Sequence, residues 1–105
     1  MNRGDIILCD FGDPMGHEPG FRHPALVISP TMINQHGVLI VVPITKTRRG
    51  YPTHVELEGV LPVTSYAQCE LVRSVSSQRV VRSLARADEA IMWQVSTVLR
   101  RILEL

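Results

Sequence analysis

Apolar residues fall into short runs through the first eighty or so positions and then change to a helical spacing. Ile6, Ile7 and Leu8 head a run over residues 5–9 that stops at the turn-rich Phe11-Gly12-Asp13-Pro14. Ala25-Leu26-Val27-Ile28-Ser29 is bounded by Pro24 and Pro30, and both runs predict strands. Val38-Leu39-Ile40-Val41-Val42 is so rich in β-branched residues that it predicts a central strand buried on both faces. Asn34 and Gly37 before it predict a hairpin. Residues 54–58 alternate with a period of two, giving a half-buried strand on which His54 faces solvent and which ends at Gly59. Residues 63–75 read as one long or bulged strand, and Val80-Val81 as a brief one. Beyond Ala87 the pattern changes. Ile91, Met92, Val95, Val98, Leu99, Ile102 and Leu103 recur at spacings of three and four, which predicts an amphipathic helix with Trp93 packed beside its stripe. Asp88 and Glu89 suit its first turn, and Arg100 and Arg101 its last. Five or six strands and one helix give an α+β, mainly β chain: a small, strongly curved sheet or partly open barrel with the helix packed across it.

A length of 105 residues fits one domain, 1–105, with one core. Apolar content of 45% and charged content of 20% are those of a soluble globular protein, with no apolar run long enough for a membrane span and no targeting segment. The expected location is the cytoplasm. Cys9 and Cys69 lie in apolar settings, where the expected role is a small buried hydrophobe rather than a disulfide partner. The four histidines, His17, His23, His36 and His54, show no metal-ligand spacing, so neither a zinc site nor a cofactor is expected. Net charge is only +1, but it is unevenly spread. Asp5, Asp10, Asp13 and Glu18 dominate the first thirty residues, whereas Lys46, Arg48 and Arg49 make one loop cationic.

Chemistry concentrates in Gly16-His17-Glu18-Pro19-Gly20-Phe21-Arg22-His23-Pro24, between the first two predicted strands. Glycines and prolines constrain such a loop while Glu18, Arg22 and His23 stay available, which is the pattern of a site on a rigid frame.

Several motifs together resemble the MazF/PemK toxins of bacterial toxin-antitoxin systems. They are Arg3-Gly4-Asp5-Ile6, Asp10-Phe11-Gly12-Asp13-Pro14, Gly16-His17-Glu18, His23-Pro24-Ala25-Leu26-Val27-Ile28-Ser29, Val42-Pro43-Ile44-Thr45 and Tyr51-Pro52-Thr53-His54-Val55. Ala67-Gln68-Cys69-Glu70-Leu71-Val72-Arg73-Ser74-Val75 resembles the family's late strand, so the likeness covers nearly the whole chain. The resemblance implies a compact SH3-like barrel of the PemK/CcdB type, with five to seven strands and a C-terminal helix. It further implies a homodimer and metal-independent endoribonuclease activity on single-stranded RNA at short sequence motifs, which stalls translation. A cognate antitoxin of the MazE/PemI kind would occupy the toxin's RNA groove.

Metal-free RNA scission needs a base for the 2′-hydroxyl proton, a cation or donor for the phosphorane and an acid for the 5′-oxygen. The resemblance places the family's catalytic threonine at Thr45 and its catalytic arginine at His23, with Arg22 one place earlier. Two assignments stay open: a redistribution in which His23 moves protons while Arg22 holds the phosphate, or a slip that puts Arg22 in the arginine's place. Glu18 is expected to orient Arg22 or His23. Lys46, Arg48 and Arg49 are expected to carry RNA phosphates, with Arg73 on the late strand beside them and Tyr51 or Phe21 as platforms for an unpaired base. Leu71 stands where several relatives carry glutamine, which removes one polar contact of the family's groove. Two other readings lead elsewhere: a binding toxin of related fold that poisons DNA gyrase by protein contact, and a degenerate copy that holds antitoxin without cutting.

Overall fold

A single eight-residue strand organises the sheet. The computed structural model describes residues 1–105, and in it β3 (Val38–Thr45) is the strand on which the others assemble. Along one edge β3 pairs with β2 (Arg22–Val27), and β2 in turn with β1 (Asp5–Asp10) and then β7 (Val80–Arg86), all antiparallel. Its other edge is shared. The first half of β3 pairs with β6 (Arg73–Ser76), Val38 opposite Ser76 and Val41 opposite Arg73. Its last residues pair with β5 (Tyr66–Gln68), Thr45 opposite Tyr66, and β5 carries β4 (His54–Glu56) on its outer edge.

That sharing explains where residues 63–75 depart from the expected single strand. The chain pairs with one end of β3, turns through a 3₁₀ segment at Cys69–Leu71, and re-joins β3 further along as β6. Cys69, fully buried, pins the corner to the core. The expected hairpin at Asn34 and Gly37 is also elaborated. β2 and β3 do pair antiparallel, but their link contains a short helix α1 (Thr31–Asn34) and ends at Gly37, whose φ of 84° favours glycine. β4 is shorter than residues 54–58, and β7 runs well past Val81.

Burial on both faces of β3 is as its composition predicts. Val42 and Ile44 point into one cluster with Ile6, Leu26, Val55, Leu57 and Ala67, while Leu39 and Val41 point into another with Ile7, Cys9, Ala25 and Val27. Adjacent Ile6 and Ile7 enter opposite clusters because strand side chains alternate. The first cluster is closed by helix α2 (Glu89–Leu103) through Ile91, Val95 and Leu99. Asp88 caps this helix, its Oδ1 accepting from the Ile91 N–H at 2.9 Å, and Arg100 and Arg101 complement the C-terminal end of its dipole. Trp93 corrects an expectation: it does not pack but stands 70% exposed, two positions away from buried Ile91 and Val95. Leu103, in the last turn of the stripe, is exposed as well. Cys9 and Cys69 are free thiols in separate clusters.

Candidate active site

Strand β2 begins at Arg22, so Arg22 and His23 stand on the rigid sheet rather than in the loop before it. Their register is fixed by β1, with Arg22 opposite Asp10 and His23 opposite Cys9. The loop that precedes them is clamped at its base. Phe11 N–H donates to Phe21 O at 2.7 Å, Phe21 N–H to Gly12 O at 2.6 Å, and Gly12 N–H to Asp10 Oδ1 at 2.9 Å. Phe21 itself takes a left-handed φ of 54°, a conformation unfavourable for a bulky residue, and its ring is exposed. Gly20 is required for a different reason: a Cβ there would lie 2.6 Å from the Pro14 ring.

Thr45 ends β3 one strand over, and the β3–β5 pairing brings Gln68 in from the other side. His23 and Thr45 form the wall between two clefts. One, of about 430 Å³, is lined by them together with His17, Glu18, Phe21, Gln68 and Leu71. The other, of about 350 Å³, adds Arg22, Lys46 and Ser65 to the same pair. The structure therefore gathers Glu18, Arg22, His23, Thr45 and Lys46 around a common wall. Arg48, Arg49 and Tyr51 lie further along the same loop and line adjoining clefts of about 370 and 220 Å³. Arg73 stands apart from all of these, its guanidinium 5.4 Å from the centre of the Phe11 ring in a cation–π contact.

The Thr45 hydroxyl accepts from the Thr47 N–H at 3.2 Å. This is a turn contact, but it uses a lone pair and leaves the O–H free to donate. It also orients that O–H, so the turn role and a role toward an anion coexist. Imidazole, guanidinium, ammonium and hydroxyl groups converging on an open surface can hold an anion and move protons to and from it.

Two residues of this region escape sequence reasoning. His17 and Gln68 enter the cleft with His23; Gln68 is recognisable only once β5 is known to pair with the end of β3. His54 corrects an expectation outright. Its side chain is 3% exposed, not solvent-facing, with Nε2 2.9 Å from Glu70 Oε2. Burial alone would raise the Glu70 carboxyl, but hydrogen bonds from His54, the backbone and Thr53 outweigh it and hold it below its ordinary 4.5. Burial pushes the Cys69 thiol up to about 12, and it raises Cys9 as well despite the opposing charges of Arg79 and Arg73. Both thiols are therefore held in the neutral, protonated form near neutral pH.

The largest concavity, about 730 Å³, lies elsewhere, beside the start of α2. Its cations are already engaged: Arg3 donates to Ile28 O and Ser96 Oγ, and Arg86 pairs with Asp5 at 2.7 Å.

A curved antiparallel sheet backed by one helix, with a cationic loop beside an open imidazole and hydroxyl cleft, defines a small barrel protein built to hold an extended anionic ligand. The chain belongs to the PemK-like, MazF-like toxin family of type II toxin-antitoxin systems, which it matches over residues 2–103. It is 32% identical to endoribonuclease MazF9 of Mycobacterium tuberculosis over 115 aligned residues, covering 100% of this chain and 98% of the relative. Crystalline MazF from Deinococcus radiodurans superposes with a TM-score of 0.90 at 31% identity, covering 100% of this chain and 97% of the other. A MazE–MazF structure from the same organism gives 0.86 at 31%, covering 100% and 96%. The fold expected from the resemblance is borne out: a mainly β structure of seven antiparallel strands with a C-terminal helix.

Proposed function

We propose that this chain is the toxin of a type II toxin-antitoxin pair, an endoribonuclease that cuts single-stranded RNA at the His23–Thr45 wall and thereby inhibits translation. The observation that carries the site assignment is that wall itself: one imidazole and one free hydroxyl donor bordering two clefts, with Arg22 and Lys46 on one side and Glu18 on the other. Full-length relatives named endoribonuclease support the activity.

In the reaction the 2′-oxygen attacks the adjacent phosphorus, the bond from phosphorus to the 5′-oxygen breaks, and a 2′,3′-cyclic phosphate and a 5′-hydroxyl result. One proton leaves the 2′-hydroxyl and one joins the 5′-oxygen. His23 moves the proton at one end, with Glu18 orienting it, and water entering the open cleft serves the other. Arg22 pairs with the non-bridging oxygens and the Thr45 O–H donates to them, where charge grows in the phosphorane. Lys46, Arg48 and Arg49 lead the backbone away, and Phe21 and Tyr51, both exposed, offer faces to unpaired bases. Arg73, on its Phe11 ring, contributes positive potential rather than a contact in the cleft. None of these steps calls on a metal or cofactor.

A MazE-like antitoxin is the partner of this reading, supported by the solved MazE–MazF structure. A second copy of the chain is part of it too, as the resemblance to MazF/PemK toxins implies. One toxin domain over 1–105 carries the function. No helix is long and apolar enough to cross a membrane, and the cytoplasm, where messages are translated, is the proposed location.

The test is incubation of the purified protein with a long single-stranded RNA in excess chelator. Discrete fragments ending in cyclic phosphate and 5′-hydroxyl are expected. Intact RNA, or fragments with 5′-phosphate ends, would refute the proposal.

A further inference from the structure

The loop bearing Arg48, Arg49 and Tyr51 is fastened at its far end by side chains that take no part in the cleft chemistry. His54 Nε2 lies 2.9 Å from Glu70 Oε2, and Thr53 Oγ1 donates to Glu70 Oε1 at 2.9 Å. Both carboxylate oxygens are thus engaged within the protein. Backbone bonds reinforce the tie, with Cys69 N–H donating to Thr53 O at 3.1 Å and His54 N–H to Tyr51 O at 3.0 Å. The Tyr51 and His54 rings meet edge to face at 5.1 Å. Glu70 sits in the 3₁₀ turn between Gln68 and Leu71, which line the cleft with His23 and Thr45. The cluster therefore joins the cationic loop to the floor of the candidate active site.

This cluster differs from an ordinary surface ion pair. The His54 side chain is 3% exposed, and with Nε2 turned to Glu70 its Nδ1 is buried with no partner. An unpaired buried polar atom lowers stability, so an apolar ring of the same shape would serve packing better. What the histidine adds is the link to Glu70. That link sits between two clefts, of about 370 Å³ on the Glu70 side and 220 Å³ on the His54 side, and Arg49 and Tyr51 line both.

We propose that the Thr53–His54–Glu70 clasp is a positioning element that holds Arg49 and Tyr51 between these two clefts, where they engage RNA flanking the cut. This rests on the RNA reading given above. The loop is exposed and includes Gly50 at a φ of 70°, so without a tie it would lose conformational freedom each time RNA bound. Ordering it beforehand removes that entropy loss from binding. Its effect therefore falls on substrate affinity and not on the bond-breaking step.

The experiment uses the full chain as wild type, Glu70→Ala, His54→Phe and His54→Gln. For each, steady-state cleavage of one single-stranded RNA, melting temperature and amide hydrogen exchange without RNA are measured. His54→Phe keeps a ring against Tyr51 and removes the orphaned nitrogen, so packing is retained while the link to Glu70, with its part of the stability, is lost. In Glu70→Ala and His54→Phe, KM rises about tenfold with kcat within about twofold. Exchange over residues 46–53 becomes faster by about tenfold in the same variants. His54→Gln, whose amide N–H reaches toward Glu70, restores both values. Unchanged KM and unchanged exchange in His54→Phe would reduce the cluster to packing, and a fall in kcat at constant KM would equally overturn the inference. If wild-type protein leaves RNA intact, the RNA reading falls and takes the clasp's substrate with it. Loop exchange in Glu70→Ala separates that failure from a clasp that holds nothing.

Discussion

Thr45 and His23 lie twenty-two residues apart in sequence and meet because β2 and β3 are neighbours in the sheet. Their proposed roles differ, Thr45 as donor to the phosphorane and His23 as proton carrier, and both predict a loss in kcat. Thr45→Val preserves shape and removes the donor, so kcat for RNA cleavage should fall by about 10²–10³ with little change in KM. Proton transfer is worth a comparable factor, and His23→Ala should lose about 10²–10⁴ in kcat. If Arg22→Ala loses as much while His23→Ala is near wild type, the arginine has slipped into the family's usual place. The cysteines make a further expectation at this scale. Because burial raises both thiols, Cys69 to about 12, iodoacetamide at mildly alkaline pH should label neither until the protein is unfolded. Labelling of native protein, read by intact mass, would contradict that burial. The cationic run beginning at Lys46 was legible in the local pattern, whereas Thr45 was singled out only through the family resemblance. Single residues were illegible where function depends on pairing. The contact of His54 with Glu70 follows from His54 lying opposite Gln68, which no local pattern in residues 54–58 discloses.

Among the elements, helix α2 was the most legible, because a period near 3.6 extended over its full length cannot be mistaken for a strand. Its cap gives a direct stability test: Asp88→Ala should cost about 1 kcal/mol, seen as a lower melting temperature with cleavage unaffected. The break between β5 and β6 was hidden because apolar content continues through it. Only the length of β3, enough for two partners, forces the 3₁₀ corner. Glu70 occupies that corner, and its lowered pKa sets a pH dependence. A carboxyl held lower in the folded chain stabilises it fully above the unfolded value, and that contribution disappears as pH falls through the folded one. The stability difference between wild type and Glu70→Gln should thus be constant near neutrality and shrink below pH 4.5, as urea melts across pH would show. A difference that grew in acid would mean that the carboxyl is not held ionised. In the loop before β2, Gly20→Ala forces a Cβ to within 2.6 Å of Pro14, so the loop must shift and cleavage should drop even if the melting temperature holds.

Over the whole molecule, the curved sheet with its helix was foreseeable from the order of short apolar runs followed by one amphipathic segment. The order of strands was not, because antiparallel partners of β3 come from both halves of the chain. Charge behaves similarly. A net value of +1 conceals a cationic margin along the clefts, where Arg22, Lys46, Arg48 and Arg49 gather, while Asp5 is neutralised by Arg86 at the other edge of the sheet. Size alone would direct attention to the 730 Å³ concavity beside α2, but its arginines are engaged, whereas the smaller clefts share unpaired chemistry. The most direct test of the RNA-cutting wall is the single-turnover cleavage rate of one defined single-stranded RNA in chelator, compared for wild type, His23→Ala and Thr45→Val. The wild type should cut at discrete positions to leave cyclic phosphate ends, and each variant should slow by about a hundredfold or more while still binding the RNA. Wild-type rates in both variants, with the same fragments, would place the chemistry somewhere other than this wall.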